Sequence, residues 1–289
     1  MAISYELLKT VTSQMYARSL RHVPVEAQRA LSKASADEPD PLARRTLDLM
    51  IDSAQQAQQR EHLLCSDSGI PTYAFKIGTR VDFEGDVKAA VRDGFHELAA
   101  TSDPPLLKHV TNPLTNERGY EGKDMPIMSF DLIDGADHVE IVCSPKALGT
   151  GRWSTAEILI SPTLQEIEEF VLDAVVRAGS QACPPMIVGV GIGGTFEHAA
   201  HIAKEAILRP MREEAANPIV RDMEERLRDA INATGFGPMG TGGRTTAMAV
   251  HVNYSSGHGF TPVAVNFNCW IDRRYGVRIG NDGTVTHDV

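Results

Sequence analysis

The run Met186-Ile187-Val188-Gly189-Val190-Gly191-Ile192-Gly193-Gly194-Thr195 reads as a buried strand that passes at once into a helix start. Its Gly189-x-Gly191-x-x-Gly194 spacing is that of a dinucleotide-binding turn, where glycines bring backbone amides up to a pyrophosphate at a helix N-terminus. Such a unit also needs a second parallel strand ending in an acidic residue about 20 positions on. Here the predicted helix, Thr195 to Leu208, is followed by Arg209-Pro210-Met211-Arg212. The glycines have a plainer use: they let backbones pack closely, or line a small-molecule pocket with amide donors. Nicotinamide-dependent oxidoreduction is kept as a rival reading.

Outward from this run, the apolar spacing predicts a helix over Ile219 to Thr234, then strands at Ala247 to Val252 and Val263 to Asn266. Upstream, Thr163 and Glu166 form a capping box that opens a helix to Ala178, with Ile167, Phe170, Val171, Ala174 and Val175 on one face. Short strands are expected at Thr72 to Ile77, Ile127 to Ile133, His138 to Val142 and Ile158 to Ile160, with Asp134-Gly135 as a hairpin turn. Helices dominate up to Gln59, interrupted by a turn over Ala34 to Leu42, and another helix spans Val87 to Ala100. Residues 101–126 hold four prolines and no clear period. So long an irregular stretch reads as a site-forming loop. Helices at the front and strands later give an α+β fold: a helical N-terminal third packed with a mixed sheet region. No composition shift marks an internal border, so residues 1–289 are expected to be one large domain.

The chain has 289 residues, 42% of them hydrophobic, enough for a sizeable core. Lys and Arg number 28 against 38 Asp and Glu, and the net charge of −10 disfavours nucleic-acid binding. No apolar run is long enough to span a membrane, and the first 20 residues read as an ordinary helix rather than a secretory signal, so a cytoplasmic protein is expected. The cysteines Cys65, Cys143, Cys183 and Cys269 lie far apart, unlike a secreted disulfide framework. Cys65, Cys183 and Cys269 each sit beside a turn or a strand end. Three thiolates from distant segments can hold three irons of a four-iron cluster and leave the fourth open as a Lewis acid. They can also be small buried hydrophobes. Zinc is less attractive, because no Cys-x-x-Cys or His-x-x-x-His pair is present.

Several segments together resemble the class I iron–sulfur hydro-lyases, specifically the α subunit of two-chain fumarate hydratases and L-tartrate dehydratases. Cys65-Ser-Asp67-Ser-Gly69 is similar to that family's Cys-Gln-Asp-Thr-Gly. Ala182-Cys183-Pro184-Pro185 through Thr195, Gly237 to Thr245 with Ala249-Val250-His251-Val252, and Asn268-Cys269-Trp270 follow in the family's order. The resemblance covers about residues 5 to 275. It implies a [4Fe–4S] cluster on Cys65, Cys183 and Cys269, with Asp67 helping the hydroxyl to depart and His251 meeting a substrate carboxylate. Gly243 and Thr245 would offer donors to anionic groups. It also implies that the catalytic base and further arginines lie in a separate β subunit. Two segments depart from the family: Lys146-Ala147-Leu148-Gly149-Thr150-Gly151-Arg152, and Leu107-Lys108-His109 with Asn116 to Gly119. Lys108, Lys146, Gly149 and Arg152 are the substrate-side candidates there, although a lysine supplies charge without the fork of a guanidinium. Cys143 is read as a strand cysteine. If it completed the cluster instead, the protein would be a non-catalytic carrier or sensor.

Overall fold

The structure, a computed structural model, describes residues 2–287 and is α+β. After the two-residue strand β1 (Ile3–Ser4) come helices α1 (Tyr5–Arg21), α2 (Val25–Asp37) and α3 (Pro41–Gln59). Then follow β2 (Thr72–Gly78), β3 (Phe83–Glu84), α4 (Val87–Thr101), β4 (Val110–Thr111), β5 (Arg118–Gly119), β6 (Ile127–Ile133) and β7 (His138–Cys143). A single turn α5 (Leu148–Gly151) leads to β8 (Thr155–Ile160), α6 (Leu164–Ala178), β9 (Met186–Gly193), α7 (Phe196–Ala206) and α8 (Pro218–Ala233). The last strands are β10 (Ala247–Ser255), β11 (Phe260–Asn268), β12 (Tyr275–Gly280) and β13 (Val285–His287). Among the described residues no helix is long and apolar enough to cross a membrane.

Two elements differ from expectation near the front. Only Glu38 to Asp40 separate α2 from α3, so the interruption is narrower than Ala34 to Leu42. Ala34 stays helical because it packs with Leu31, Leu47 and Met50. Asp40 Oδ1 accepts the amides of Leu42 and Ala43 at 2.9 Å, and Pro41 fills the first helical position, where its missing N–H is not needed. The Thr163 capping box forms as expected, with Glu166 N to Thr163 Oγ1 at 3.2 Å and Thr163 N to Glu166 Oε2 at 2.7 Å.

The chain divides into two compact units, each stitched from separate segments. The first takes residues 2–24, 54–147 and 273–287; the second takes 25–53 and 148–272. Such interleaving leaves no border to be seen as a change of composition along the sequence.

In the first unit a five-stranded sheet runs in the order β13-β12-β7-β2-β6, antiparallel except for the β2–β6 pair. Tyr73 and Phe75 of β2, Val139 and Ile141 of β7, and Val277 and Ile279 of β12 pack with Leu8, Val11 and Met15 of α1 and Val91 and Phe95 of α4. The expected β6–β7 hairpin does not form. Asp134-Gly135 does turn the chain, with Gly135 at φ 70°, but β2 lies between the two strands. The connection passes over the end of β2, where Thr79 and Arg80 donate their amides to the carbonyls of Ile133 and Ala136 at 3.0 Å. A turn signal reverses the chain without choosing its partner, and the central strand gains hydrogen bonds on both edges. Residues 102–126 are irregular apart from the small β4–β5 ladder.

In the second unit the sheet order is β10-β9-β11-β8, with only β9 and β10 parallel. Val188, Val190, Val250, Val252, Val263 and Val265 cover one face against Val171 and Val175 of α6 and Met223 and Leu227 of α8. On the other face α7 sits through Ala199 and Ala203. Here the glycine pattern finds its use. A Cβ on Gly191 would lie 2.0 Å from the Ala199 carbonyl oxygen, and one on Gly189 would lie 2.4 Å from that of Ala203. The glycines are the floor on which α7 rests. The parallel neighbour β10 ends at Asn253-Tyr254-Ser255 without an acid, so the dinucleotide reading has no second half.

Candidate functional site

The first unit presents the loop Cys65-Ser66-Asp67-Ser68-Gly69, between α3 and β2, with Cys65 half-buried. Asp67 Oδ1 accepts the Gly69 amide at 2.9 Å, a side-chain turn that sets the loop's curvature. Gly69 has φ 77°, and a Cβ there would stand 2.9 Å from backbone carbons of Pro145 and Lys146. Only glycine lets the loop lie so close. Ile70 and Lys146 then exchange both backbone hydrogen bonds at 2.9 Å, so the backbone of Lys146 is fixed by the loop. From below, the buried Tyr16 hydroxyl donates to the carbonyls of Ser68 and Gly69 at 3.0 and 3.1 Å. Burial pushes that phenol well above its ordinary range, so it stays a donor. Arg273 Nη1 donates to the Asp67 carbonyl at 2.5 Å.

Of the altered segment 107–109, it is His109 that reaches this loop. Its Nε2 lies 3.6 Å from Asp67 Oδ1 and 3.4 Å from the Ser66 carbonyl. The Lys108 ammonium is placed over the Tyr120 ring, 5.9 Å from its centre. Lys108, the substrate-side candidate of this segment, thus stands away from the loop that its neighbour meets.

In the second unit Cys183 follows the 3₁₀ turn Gly179–Ala182 in a left-handed conformation, φ 53° and ψ 60°. Its carbonyl accepts the Trp270 amide at 3.2 Å, which ties the residue after Cys269 to Cys183. The Cys269 carbonyl accepts the Asp272 amide at 3.0 Å. Asp272 is fully buried; burial pushes its carboxyl up to about 8, although the Asn268 amide at 3.0 Å pulls the other way. Thr150 Oγ1 donates to the Ala182 carbonyl at 3.3 Å, joining α5 and its exposed Gly149 to the Cys183 turn. Arg152 donates to Gln181 Oε1 at 3.2 Å and stacks on Trp153 at 4.7 Å.

The glycine loop before β10 also has occupants from its own chain. Gly243, at φ 103°, lies against Ala43 and the buried Glu38, whose Oε2 accepts the Arg244 amide at 2.7 Å. Thr245 is half-buried, and the neighbouring Thr246 Oγ1 accepts the Gly237 amide at 3.1 Å. His251 is 2% exposed, with no hydrogen bond to either ring nitrogen. Its Nδ1 is 3.9 Å from Glu224 Oε1, which itself accepts from Arg209 Nη1 at 2.8 Å and the Val252 amide at 2.7 Å. Burial first, and then the Arg209 charge, lower its pKa to about 4. It is a neutral histidine sealed inside its unit.

The four thiols fall into two kinds, and none is in a disulfide. Cys65, Cys183 and Cys269 are half-buried at loops and strand ends. Cys143 closes β7 with no exposed surface, bonded to Ser19 and Tyr73, and burial pushes its thiol up to about 12. Metals bind thiolates, so a thiol held protonated by burial, as Cys143 is, makes a poor metal ligand.

Comparison with known sequences places the chain in a class of lyases. A sequence model of the fumarate hydratase (fumerase) family matches residues 9–278, and the chain belongs to that family of class I hydro-lyases, as an α-subunit type. Among individual relatives, it is 31% identical over 282 residues to a Methanocaldococcus jannaschii protein with the provisional name L(+)-tartrate dehydratase subunit alpha, covering 95% of this chain and 98% of that one. It is 30% identical over 229 residues to the L(+)-tartrate dehydratase subunit alpha of Escherichia coli K12, covering 78% of this chain and 75% of that protein.

Proposed function

We propose that this chain is the α subunit of a two-chain hydro-lyase acting on a small 2-hydroxydicarboxylate of the malate or tartrate kind, with a [4Fe–4S] cluster held by Cys65, Cys183 and Cys269. The observation that carries the reading is the division of the thiols, three half-buried and one sealed with its thiol pushed up to about 12, in a chain that matches its family from residue 9 to 278. Bound there, the cluster supplies a Lewis acid at the one iron without a protein ligand. Asp67 helps the hydroxyl to depart, in a loop fixed by Tyr16, Gly69 and Arg273, with His109 beside its carboxylate. Lys108, Lys146 and Arg152 bring positive charge for the substrate carboxylates, and Gly149, Gly243 and Thr245 add backbone and hydroxyl donors. His251, the other candidate for a substrate carboxylate, lies closed off from solvent in β10 and would need an opening of its surroundings to reach one. The carbon-bound proton goes to a base on a second chain, a reading supported by relatives named as α subunits. Thiols without disulfides suit a reducing compartment such as the cytoplasm.

The test is anaerobic co-expression with a candidate β subunit, iron and sulfide analysis, and a turnover panel of fumarate, malate and tartrate isomers. Iron near four per chain and turnover of one such acid are expected. Cluster-free protein that still turns over would overturn the cofactor. A cluster-loaded complex inert to the whole panel would overturn the substrate class.

A further inference from the structure

Arg273 is a buried guanidinium that no carboxylate neutralises among the described residues. It is 3% exposed, its Nη1 donates to the Asp67 carbonyl, and its Nη2 is buried with no partner. Its own carbonyl accepts the buried Ser144 hydroxyl at 3.1 Å. Both ends of the residue are thus held, and Ser144 is in turn tied to β2 through its amide on the Thr72 carbonyl at 2.9 Å. A buried charge with a donor unused is a poor way to stabilise a fold, so the side chain is kept for what its one good bond does. That bond fixes the middle of the Cys65–Gly69 loop, between the thiol and the Asp67 side-chain turn.

We propose that Arg273 is a positioning residue: through the Asp67 carbonyl it sets the Asp67 carboxylate and the Cys65 thiol for the dehydration proposed above, on which this inference rests. The guanidinium suits the role because it carries its donors in a rigid plane, so that from a buried side chain Nη1 meets the Asp67 carbonyl in one direction. A lysine can place a charge there but pivots about a single atom. Errors of about 1 Å in a reacting group lower turnover by on the order of a hundredfold while leaving substrate affinity nearly unchanged.

The experiment compares wild type with Arg273→Lys in two states. In the cluster-free full chain, iodoacetamide labelling resolved by peptide mass spectrometry should show Cys65 reacting at least about fivefold faster in the variant, with Cys183 within about twofold of wild type. In the cluster-loaded complex with its partner, kcat should fall at least about tenfold with KM within about threefold and iron content unchanged. Equal labelling of Cys65 in both proteins, or acceleration of Cys183 to the same degree, would overturn the proposal, as would a wild-type kcat. Should Arg273→Lys fail to fold, Ser144→Ala removes the bond that holds Arg273 from behind and must move Cys65 labelling in the same direction. If the wild-type complex turns over none of the acids, the proposed function fails, and the labelling still decides the role of Arg273.

Discussion

At His251 a side chain that ordinarily titrates near neutrality is held neutral down to about pH 4. The folded chain therefore binds fewer protons than the unfolded chain between about pH 6.5 and 4, and stability must rise with pH across that window. The stabilisation is complete above pH 6.5 and is lost as pH falls, by up to about 3 kcal/mol. Urea melts at pH 7, 5.5 and 4.5 should show the loss, and His251→Leu should flatten it; an unchanged slope would assign the acid lability to other groups. For the thiols, Cys65→Ser, Cys183→Ser or Cys269→Ser should each abolish iron binding, while Cys143→Ser should keep it and cost about 1–2 kcal/mol of stability. Iron analysis of the four variants decides this. The three ligand candidates were legible in sequence because each sits in a short motif. Arg273 was not, because its partner Asp67 is 206 positions away and no local pattern joins them. Nor was His109, whose partners Ser66 and Asp67 lie some forty positions upstream.

At the scale of elements, legibility followed the locality of the signal. The start of α6 is written in four residues, and the structure builds both of its capping bonds. The β6–β7 pairing failed because the competitor, β2, lies some 50 residues upstream and wins through burial of Tyr73 and Phe75. The glycines of β9 were visible, but their purpose needed α7 in place. Gly191→Ala drives a methyl into the Ala199 carbonyl, and a shift of α7 should cost at least about 3 kcal/mol. Gly135→Ala meets no atom within 4 Å and pays only for its left-handed backbone, about 1–2 kcal/mol. Chemical denaturation of the two variants should rank them in that order. Equal losses would mean that the helix yields freely to the added methyl.

For the molecule as a whole, the proposed dehydration requires a second chain. Alone, this chain should fold and take up iron anaerobically, yet turn over none of the hydroxy acids until the partner is added, because positioning without a base leaves the barrier high. A hydratase assay before and after mixing measures this, and full activity of the single chain would place the base within these 289 residues. The α+β class was readable from the order of helices and strands. The two interleaved units were not, since residues 25–53 join a sheet whose strands begin past residue 154.

That interleaving also orders events in time. A chain emerging from the ribosome has every strand of the second unit's sheet once Asn268 is out, whereas the first unit's sheet waits for β12 to close over β7. Until then one edge of β7 is open, and the core around Val139 and Ile141 lacks Val277 and Ile279, so the younger protein has an adhesive border that the finished one lacks. Arg273 rides on the same late segment. The Asp67 loop is therefore locked only after all four thiols have been synthesised.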